Sequence, residues 1–206
     1  LSWYEIEGEI LSNSIEFGGI DSALNVDMCI KLNSAKGIDE RVFTPKVLAF
    51  DIETDDFQIG KGEILMVSLV SYGFKKVITT KKVTSKISLD FVEYAKNEEE
   101  LLEKFVSYVR QISPDFLVGY FSDGFDMAYI KARAEKYKIK LSLGLDGSQP
   151  VFHRGAILTC RIDGIVHVDL LKFVETAYSQ YMQSETLSLN DLSKEFLGEG
   201  KKEFEF

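Results

Sequence analysis

The sequence has few cysteines and few prolines, and it lacks any long apolar run. Only Cys29 and Cys160 are present among 206 residues, far apart and without the paired spacing of a zinc site. We therefore interpret both as reduced core residues and set aside zinc chemistry and a disulfide framework. With only three prolines, the chain offers few obvious linkers.

Signals for a membrane or for export are also missing. No segment approaches the ~20 uninterrupted apolar residues that a membrane-spanning helix requires. The N-terminal residues Leu-Ser-Trp-Tyr-Glu do not have the basic-then-apolar pattern of a signal peptide. We therefore expect a cytoplasmic protein with no membrane partner.

Positive charge is scarce as well. A net charge of −9 and a pI near 4.9 argue against a simple nucleic-acid-binding module, because such modules hold phosphates with an excess of lysine and arginine. We interpret two basic groups as a solvated strand edge and a solvated helix face. The groups are Lys75, Lys76, Lys81, Lys82 and Lys86, and then Lys131, Arg133, Lys136, Lys138 and Lys140. Bound divalent metal would also reverse the sign of an acidic pocket.

The clearest boundary in the chain is Lys36–Pro45. Before it, the residues read as short strands and turns, with Gly18-Gly19 and Asn33-Ser34 as turn signals. After it, the pattern becomes strongly α/β. We assign 1–44 to the β-rich end of an N-terminal domain or linker, and 45–206 to an α/β domain.

Apolar runs and capping residues predict the elements of that domain. Val47–Phe50 is apolar on both alternating faces, which is typical of a central strand covered on both sides. Asn97 is the predicted N-cap of a helix that ends near Ile112, and Asp163-Gly164 predicts a hairpin turn. The other predicted elements are strands at 64–70, 76–80, 116–118, 157–162 and 165–170, and helices at 125–137, from 170, and from 188 to Gly198. This order favours a mixed β-sheet with helices packed on its faces.

Three acidic residues are candidates for chemistry. Asp51 and Glu53 are two residues apart at the end of a strand, so their side chains leave the same face while Ile52 points into the core. Asp126 lies just past the C-terminal end of a second central strand, where ligands collect in α/β sheets. Clustered carboxylates repel one another unless a cation neutralises them, and they suit Mg²⁺ or Mn²⁺.

Each acid also has a plain structural interpretation. Asp51 and Glu53 could be solvated acids where a strand meets its loop, and Asp123 as an N-cap with Asp126 in the first turn is what helix initiation prefers. The three acids together lie on two strand ends in an order compatible with one shared cleft, and this combination indicates a functional site. Such a cluster can hold two metal ions about 3.5–4 Å apart, an arrangement that hydrolyses phosphodiesters.

The same residues carry a resemblance to a known family. Lys46–Thr54, with its Asp-Ile-Glu, resembles the first exonuclease motif of family B DNA polymerases, and Ser113–Tyr120, continuing through Phe125, Asp126 and Tyr129, resembles the second. Three further segments resemble archaeal members in the same order along the chain, namely Leu141–Pro150, His167–Leu170 and Leu192–Gly198. Trp3–Ile6 resembles the end of the preceding N-terminal domain.

The resemblance implies a ribonuclease-H-like fold and a proofreading 3′→5′ exonuclease region of a DNA polymerase. By this resemblance Asp51, Glu53 and Asp126 are metal-binding catalytic carboxylates that use two Mg²⁺ or Mn²⁺ ions, and Phe125 shapes the pocket for the 3′ end. Asp169 is interpreted as structural, orienting the start of the next helix. The implied partners are DNA, the remaining polymerase domains and a sliding clamp. The DNA would bind both as a single-stranded 3′ end and as a primer-template. The implied location is the cytoplasm, at the nucleoid.

This sequence departs from the family pattern in two places. Phe121 stands where the second motif usually has asparagine, and it could stack on a base or pack in the core. The third motif, Tyr-x-x-x-Asp, is absent: Tyr181 with Glu185 and Tyr94 with Glu98 have the spacing but a glutamate, and both precede the expected position. We therefore expect a chain truncated before its third motif, inactive or weak by itself.

Two other functions stay open. One is a non-catalytic scaffold or single-strand-binding domain that retains the fold, which the Phe121 departure mildly favours. The three intact acids argue against it, because clustered carboxylates bring no benefit without metal. The other is a free-standing ribonuclease-H-like nuclease, which the N-terminal segment and the absent third motif disfavour.

Overall fold

The computed structural model describes residues 3–11, 29–39, 43–82, 89–155, 158–184 and 186–200. The chain divides into two compact units, Leu1–Thr44 and Pro45–Phe206. The division falls within the Lys36–Pro45 stretch where the sequence pattern changes. In the described part of the chain, no helix is long and apolar enough to cross a membrane.

The first unit contains an antiparallel pair of strands, β1 (Trp3–Ile10) and β2 (Ile30–Ile38). A register shift lies between Glu7 and Gly8. The predicted turn at Asn33-Ser34 is wrong, since both residues lie inside β2. The predicted turn at Gly18-Gly19 lies outside the described residues.

The second unit is built on a six-stranded mixed sheet in the order β10-β7-β3-β4-β5-β6. Its strands are β3 (Val47–Thr54), β4 (Ile64–Ser71), β5 (Phe74–Thr79), β6 (Val92–Tyr94), β7 (Phe116–Gly119) and β10 (Val166–Asp169). β4 is antiparallel to β3 and β5, whereas the pairs β5–β6, β3–β7 and β7–β10 are parallel. A separate pair is formed by β8 (Val151–Arg154) and β9 (Leu158–Arg161). The predicted mixed α/β fold is confirmed.

The helices begin within one residue of the starts that the sequence predicts. They are α1 (Glu98–Ile112), α2 (Asp126–Tyr137), α3 (Leu170–Ala177) and α4 (Leu189–Leu197), with a 3₁₀ turn at Ser179–Tyr181. The Asn97 side chain accepts a hydrogen bond from the Glu100 N–H over 3.0 Å, which caps α1. Ser188 caps α4 in the same way, and Gly198, with φ of 72°, ends it in the left-handed conformation.

The core lies on one face of β3. Leu48, Phe50 and Ile52 are buried there with α1 and α2, and the Phe50 and Phe105 rings have centroids 6.0 Å apart. The other face of β3 is open among the described residues, and Val47 is 41% exposed. The prediction that β3 is covered on both sides is therefore wrong, and this open face is the one that carries Asp51 and Glu53.

The predicted hairpin around Asp163-Gly164 is also wrong, apart from a single bridge between Ile162 and Ile165. β9 pairs with β8, and β10 extends the main sheet parallel to β7. Asp163 and Gly164 do form a turn, but the strands on either side of it pair with other strands. The short strand β6 was not predicted, because three residues are too few to show an alternation.

Arg133 belongs to a buried ion pair and not to the solvated helix face that the sequence suggested. Its Nε donates to Glu98 Oε1 over 2.7 Å, and its Nη2 bonds Glu98 Oε2. Glu98 also accepts from the Ile64 N–H at 2.8 Å and from the Tyr137 hydroxyl at 2.9 Å. These bonds join α1, α2 and β4, so Glu98 is a structural acid and the Tyr94–Glu98 pair forms no site.

The remaining lysines of both basic groups are partly or fully exposed wherever they are described, as predicted. Lys86 lies outside the described residues. β5, however, is not a sheet edge, because β6 pairs with it.

Both cysteines are free thiols. Cys160 is a core residue, as predicted, whereas Cys29 is only half-buried and does not belong to the core. Burial raises the pKa of the Cys160 thiol to about 12, so this sulfur is uncharged at neutral pH.

Candidate active site

A cavity of about 650 Å³ opens at the face of β3 that the core leaves uncovered. It combines an acidic floor with apolar and aromatic walls. Its lining is Ala49, Phe50, Asp51, Ile52, Glu53, Phe57, Val118, Gly119, Tyr120, Phe121, Phe125, Asp126, Leu170 and Leu189. The cavity therefore contains every residue that the sequence singled out as catalytic or substrate-binding.

Asp51 and Glu53 reach the cavity because of the alternation of β3. Asp51 pairs with Ser68 and Glu53 with Met66 on β4, and both side chains are exposed while Ile52 between them is buried. The sequence predicted this arrangement from the period of two. Two carboxylates thus project from one strand toward the same space.

Asp126 enters the cavity from α2. It is the first residue of that helix, only 3% exposed, and its Oδ1 accepts a hydrogen bond from the Ile52 N–H over 3.1 Å. This bond places the Asp126 carboxylate against β3 at the residue between Asp51 and Glu53. Burial raises the pKa of Asp126 to about 7, and the negative charge of Asp51 adds to that rise, while the Ile52 N–H opposes it.

The donor set suits an oxygen-preferring divalent cation, because three carboxylates line one cavity and the buried one is disfavoured as an anion. Among the residues that the structure describes, no three acidic, histidine or cysteine side chains form a compact group that could hold a metal ion. The acids share a cavity without forming a finished coordination shell. Asp51 and Glu53 are exposed side chains.

Asp169 holds the loop that leads into α2. Its Oδ1 accepts from the N–H groups of Phe121 and Leu171 at 2.9 and 3.1 Å, and its Oδ2 accepts from the Asp123 N–H at 3.0 Å. The predicted role at the start of the next helix is confirmed, since Asp169 is the N-cap of α3. The two bonds to the loop were not predicted, because they connect residues 46 and 48 positions apart.

The sequence suggested Asp123 as the N-cap of α2, and this is wrong. Phe125 occupies the cap position, without a side-chain hydrogen bond. Asp123 instead accepts from the Cys160 N–H at 2.7 Å and from Lys172 Nζ at 2.8 Å, with His167 Nδ1 3.3 Å away. Burial alone would raise its pKa, but these three partners outweigh burial and lower it to about 2. Asp123 therefore anchors the loop to β9 and α3.

Aromatic rings form one side of the cavity. Phe121 is 49% exposed and has a positive φ of 57°, so the interpretation as a buried packing residue is wrong. Phe125 packs on Tyr129 with ring centroids 5.4 Å apart. Phe57 also lines the cavity and is 92% exposed. Sequence reasoning missed Phe57, because no pattern in the loop between Phe57 and Gly62 indicates a functional residue.

Tyr181 and Glu185, the other pair with the spacing of the third motif, were not expected to form a site. Tyr181 is exposed in the 3₁₀ turn and is not among the described residues that line the cavity, while Glu185 lies outside the described residues.

Comparisons with known proteins identify the family of the chain. The family model for "DNA polymerase family B, exonuclease domain" matches residues 1–189. The chain is 42% identical over 129 residues to a DNA polymerase of Pyrococcus glycovorans, covering 61% of this chain and 16% of that protein. It is 38% identical over 147 residues to DNA polymerase 1 of Pyrococcus abyssi, covering 69% and 18%. The chain thus spans less than a fifth of the length of these relatives.

A solved structure shares the fold. The structure of the family B DNA polymerase from the hyperthermophilic archaeon Pyrobaculum calidifontis matches with a TM-score of 0.66 and 18% identity. The match covers 95% of this chain and 23% of that one.

Proposed function

The chain belongs to the exonuclease-domain family of family B DNA polymerases, and on that premise we propose that it is the proofreading 3′→5′ exonuclease region of such a polymerase. Its reaction would be hydrolysis of the 3′-terminal phosphodiester of single-stranded DNA. The observation that carries the proposal is the meeting of Asp51, Glu53 and Asp126 in one cavity, with Asp126 hydrogen-bonded to the strand between the other two.

The electrostatics of the cavity support a divalent-metal site. The cations would be held by Asp51, Glu53 and Asp126. The raised pKa of Asp126 means that, without a cation, the cavity disfavours the charged form of this carboxylate. Bound Mg²⁺ or Mn²⁺, as two ions, would supply an activated water and neutralise charge on the scissile phosphate. The same cations would offset the repulsion between an acidic chain of net charge −9 and DNA.

The residues of the chain itself have separate tasks. The Ile52 N–H orients the Asp126 carboxylate, and Asp51 and Glu53 face it from β3. Phe125 and Phe121 would bound the space for the 3′-terminal nucleotide, with the half-exposed Phe121 ring available to stack on a base. Phe121 cannot replace the polar contact that asparagine would make, so we expect weaker orientation of the strand at that point.

The wider assignments belong to the longer polymerases that this chain resembles. The partners would be a primer-template DNA, the remaining polymerase domains and, through other parts of the protein, a sliding clamp. The location would be the cytoplasm, at the nucleoid. The region alone would be inactive or weak, because the chain contains no Tyr-x-x-x-Asp motif to complete the site.

A second candidate is a non-catalytic single-strand-binding domain that keeps the exonuclease fold. Two observations favour it, namely Phe121 in place of a polar residue and the lack of a compact three-acid group in the described structure. Its binding of DNA would not need metal. Metal dependence therefore separates the two candidates.

The test is a double substitution, Asp51→Ala with Glu53→Ala, in the polymerase that carries this domain. We expect loss of 3′→5′ digestion of a single-stranded oligonucleotide and unchanged nucleotide incorporation. The matched control is Glu103→Ala, which removes an exposed acid on α1 away from the cavity. Digestion that survives the double substitution would remove the assignment of these acids.

A further inference from the structure

The first turn of α2 is held by backbone groups of the loop between β7 and α2. The N-cap residue Phe125 makes no side-chain hydrogen bond. The Phe121 carbonyl accepts from the Phe125 N–H at 3.0 Å, and the Ser122 carbonyl accepts from the Met127 N–H at 2.9 Å. Asp126 lies between these two donors in sequence, so the place of its carboxylate depends on where the loop holds Phe121 and Ser122.

Ser122 occupies a space that fits it closely. It is fully buried, and a Cβ atom on Gly119 would lie 2.5 Å from the Ser122 Cβ, so glycine at 119 leaves room for the serine. The Ser122 Oγ lies 3.0 Å from Nε2 of His167, whose side chain is 1% exposed. A buried hydroxyl without a partner is costly. The contact with His167 therefore helps to hold Ser122 in place.

The surroundings of the His167 ring indicate which nitrogen carries the proton. Its Nδ1 lies 3.3 Å from the Cys160 carbonyl and 3.3 Å from the Asp123 carboxylate. Both partners are acceptors, since the pKa of Asp123 is lowered to about 2 and its carboxylate is ionised at neutral pH. Nδ1 therefore carries the proton, and in a neutral ring Nε2 is an acceptor. The Ser122 hydroxyl donates to that nitrogen.

We propose that His167 is a positioning residue of the candidate active site, which acts through Ser122 to fix the start of α2 and with it the Asp126 carboxylate. The inference rests on the proposed function, because it assumes that Asp126 binds metal. His167 is not among the residues that line the acidic cavity, so it acts on the reaction only through other residues. Groups that orient a metal-binding side chain contribute about 10–100-fold to metal affinity or activity.

The two ring nitrogens of His167 have separate tasks, which substitutions can separate. Nδ1 contacts Cys160 and Asp123 and so takes part in anchoring the loop to β9, whereas Nε2 contacts Ser122. Asparagine carries its amide near the place of Nδ1, and glutamine carries its amide near the place of Nε2. His167→Gln therefore keeps a partner for Ser122, whereas His167→Asn keeps a donor only on the side of Cys160.

The first measurement is digestion of a single-stranded oligonucleotide by the polymerase that carries this domain. We expect Ser122→Ala and His167→Asn to lower kcat for 3′→5′ digestion by about tenfold, with KM changed less than about twofold. His167→Gln should keep about half of the wild-type kcat or more. The matched control is Ser193→Ala, which removes a part-buried hydrogen bond of 2.9 Å to the Asn190 carbonyl in α4 and should leave kcat unchanged.

Two measurements on the 206-residue chain do not depend on activity. The Kd for Mn²⁺, measured by calorimetry, should rise about tenfold in Ser122→Ala and His167→Asn and stay within about twofold in His167→Gln and Ser193→Ala. Long-range ¹H–¹⁵N NMR at pH 8 should show the ring proton of His167 on Nδ1, with the signal assigned in His153→Gln, which lacks the other histidine. A proton on Nε2 would overturn the proposal, because Ser122 would then be the acceptor of the bond.

The outcomes separate this role from the proposed function. Equal losses of kcat and of Mn²⁺ affinity in His167→Gln and His167→Asn would overturn the role of the bond to Ser122. Wild-type values in Ser122→Ala, in a polymerase whose digestion Asp51→Ala abolishes, would overturn the positioning role and leave the proposed function standing. Digestion that survives Asp51→Ala would overturn both. The tautomer of the wild type needs no variant, so it tests the proposal even where a substitution prevents folding.

Discussion

The backbone N–H of Ile52 donates a hydrogen bond to Oδ1 of Asp126 over 3.1 Å, although the residues are 74 positions apart. The bond connects the strand that carries Asp51 and Glu53 to the first residue of the helix that carries Asp126. It turns two separate sequence motifs into one acidic cavity. It also holds a carboxylate in a place where burial and a neighbouring acid oppose its negative charge.

This conflict predicts a pH-dependent stability for the metal-free protein. The folded pKa of Asp126 is about 7 against 3.8 for the ordinary side chain, so its contribution to stability is full below pH 3.8 and is lost as the pH rises through 7. Asp126→Asn keeps an acceptor for the Ile52 N–H without the charge. We expect this variant to exceed the wild type at pH 8 in EDTA by on the order of 2 kcal/mol.

Urea unfolding at pH 4 and pH 8 measures this difference, which should shrink toward zero at pH 4. Added Mn²⁺ should reverse the order at pH 8, because a cation stabilises only the protein that has the carboxylate. An asparagine variant less stable than the metal-free wild type at pH 8 would contradict the assignment of strain to Asp126.

Asp169 predicts a second effect, on the loop that contains Phe121. Asp169→Ala would leave the part-buried N–H of Phe121 and the buried N–H of Asp123 without their acceptor. We expect a loss of about 2–4 kcal/mol in the free energy of unfolding, since each unpaired buried group costs about 1–3 kcal/mol. Asp169→Asn, which keeps one acceptor oxygen, should lose less.

The control for Asp169 is Asp163→Ala, because Asp163 is an exposed acid whose pairing with Arg161 spans 3.5 Å at the surface. Its effect should stay within about 0.5 kcal/mol. Guanidinium unfolding at pH 7 compares the three variants. Equal stabilities for the alanine variants at 169 and 163 would show that the loop does not depend on Asp169.

The Glu98–Arg133 ion pair predicts the largest loss of stability. Glu98→Gln removes the charge that balances a buried guanidinium, so we expect a loss of about 3–5 kcal/mol. Glu135→Ala is the control, because its pair with Lys131 is exposed and 3.8 Å long. Thermal unfolding followed by circular dichroism measures both variants, and a loss below 1 kcal/mol for Glu98→Gln would be inconsistent with a buried pair.

Local chemistry predicted the parts of this molecule that depend on neighbours in sequence. Asn97, Ser188 and Gly198 mark helix ends because caps act over three or four residues. The shared face of Asp51 and Glu53 follows from the period of two in a strand. The position of Asp126 at the end of a second central strand suggested a shared cleft with these two acids, and the resemblance of motifs supported it.

Several of the errors concern contacts that are distant in sequence. The residues around Asp163-Gly164 form a good turn, but nothing local shows that β10 pairs with β7 and β9 with β8. Arg133 has the spacing of a solvated helix face, and its burial depends on Glu98 from another helix. Phe57 sits in a polar loop, and only the folded chain shows that this loop borders the acidic cavity.

The central claim is that Asp51, Glu53 and Asp126 form a divalent-metal site, and a calorimetric Mn²⁺ titration of the 206-residue chain tests it most directly. The wild type and the Glu103→Ala control should show saturable binding at neutral pH, and Asp51→Ala should abolish it. Saturable binding that persists in Asp51→Ala would place the metal elsewhere, and a wild type that binds no Mn²⁺ would show that these three acids do not form a metal site by themselves.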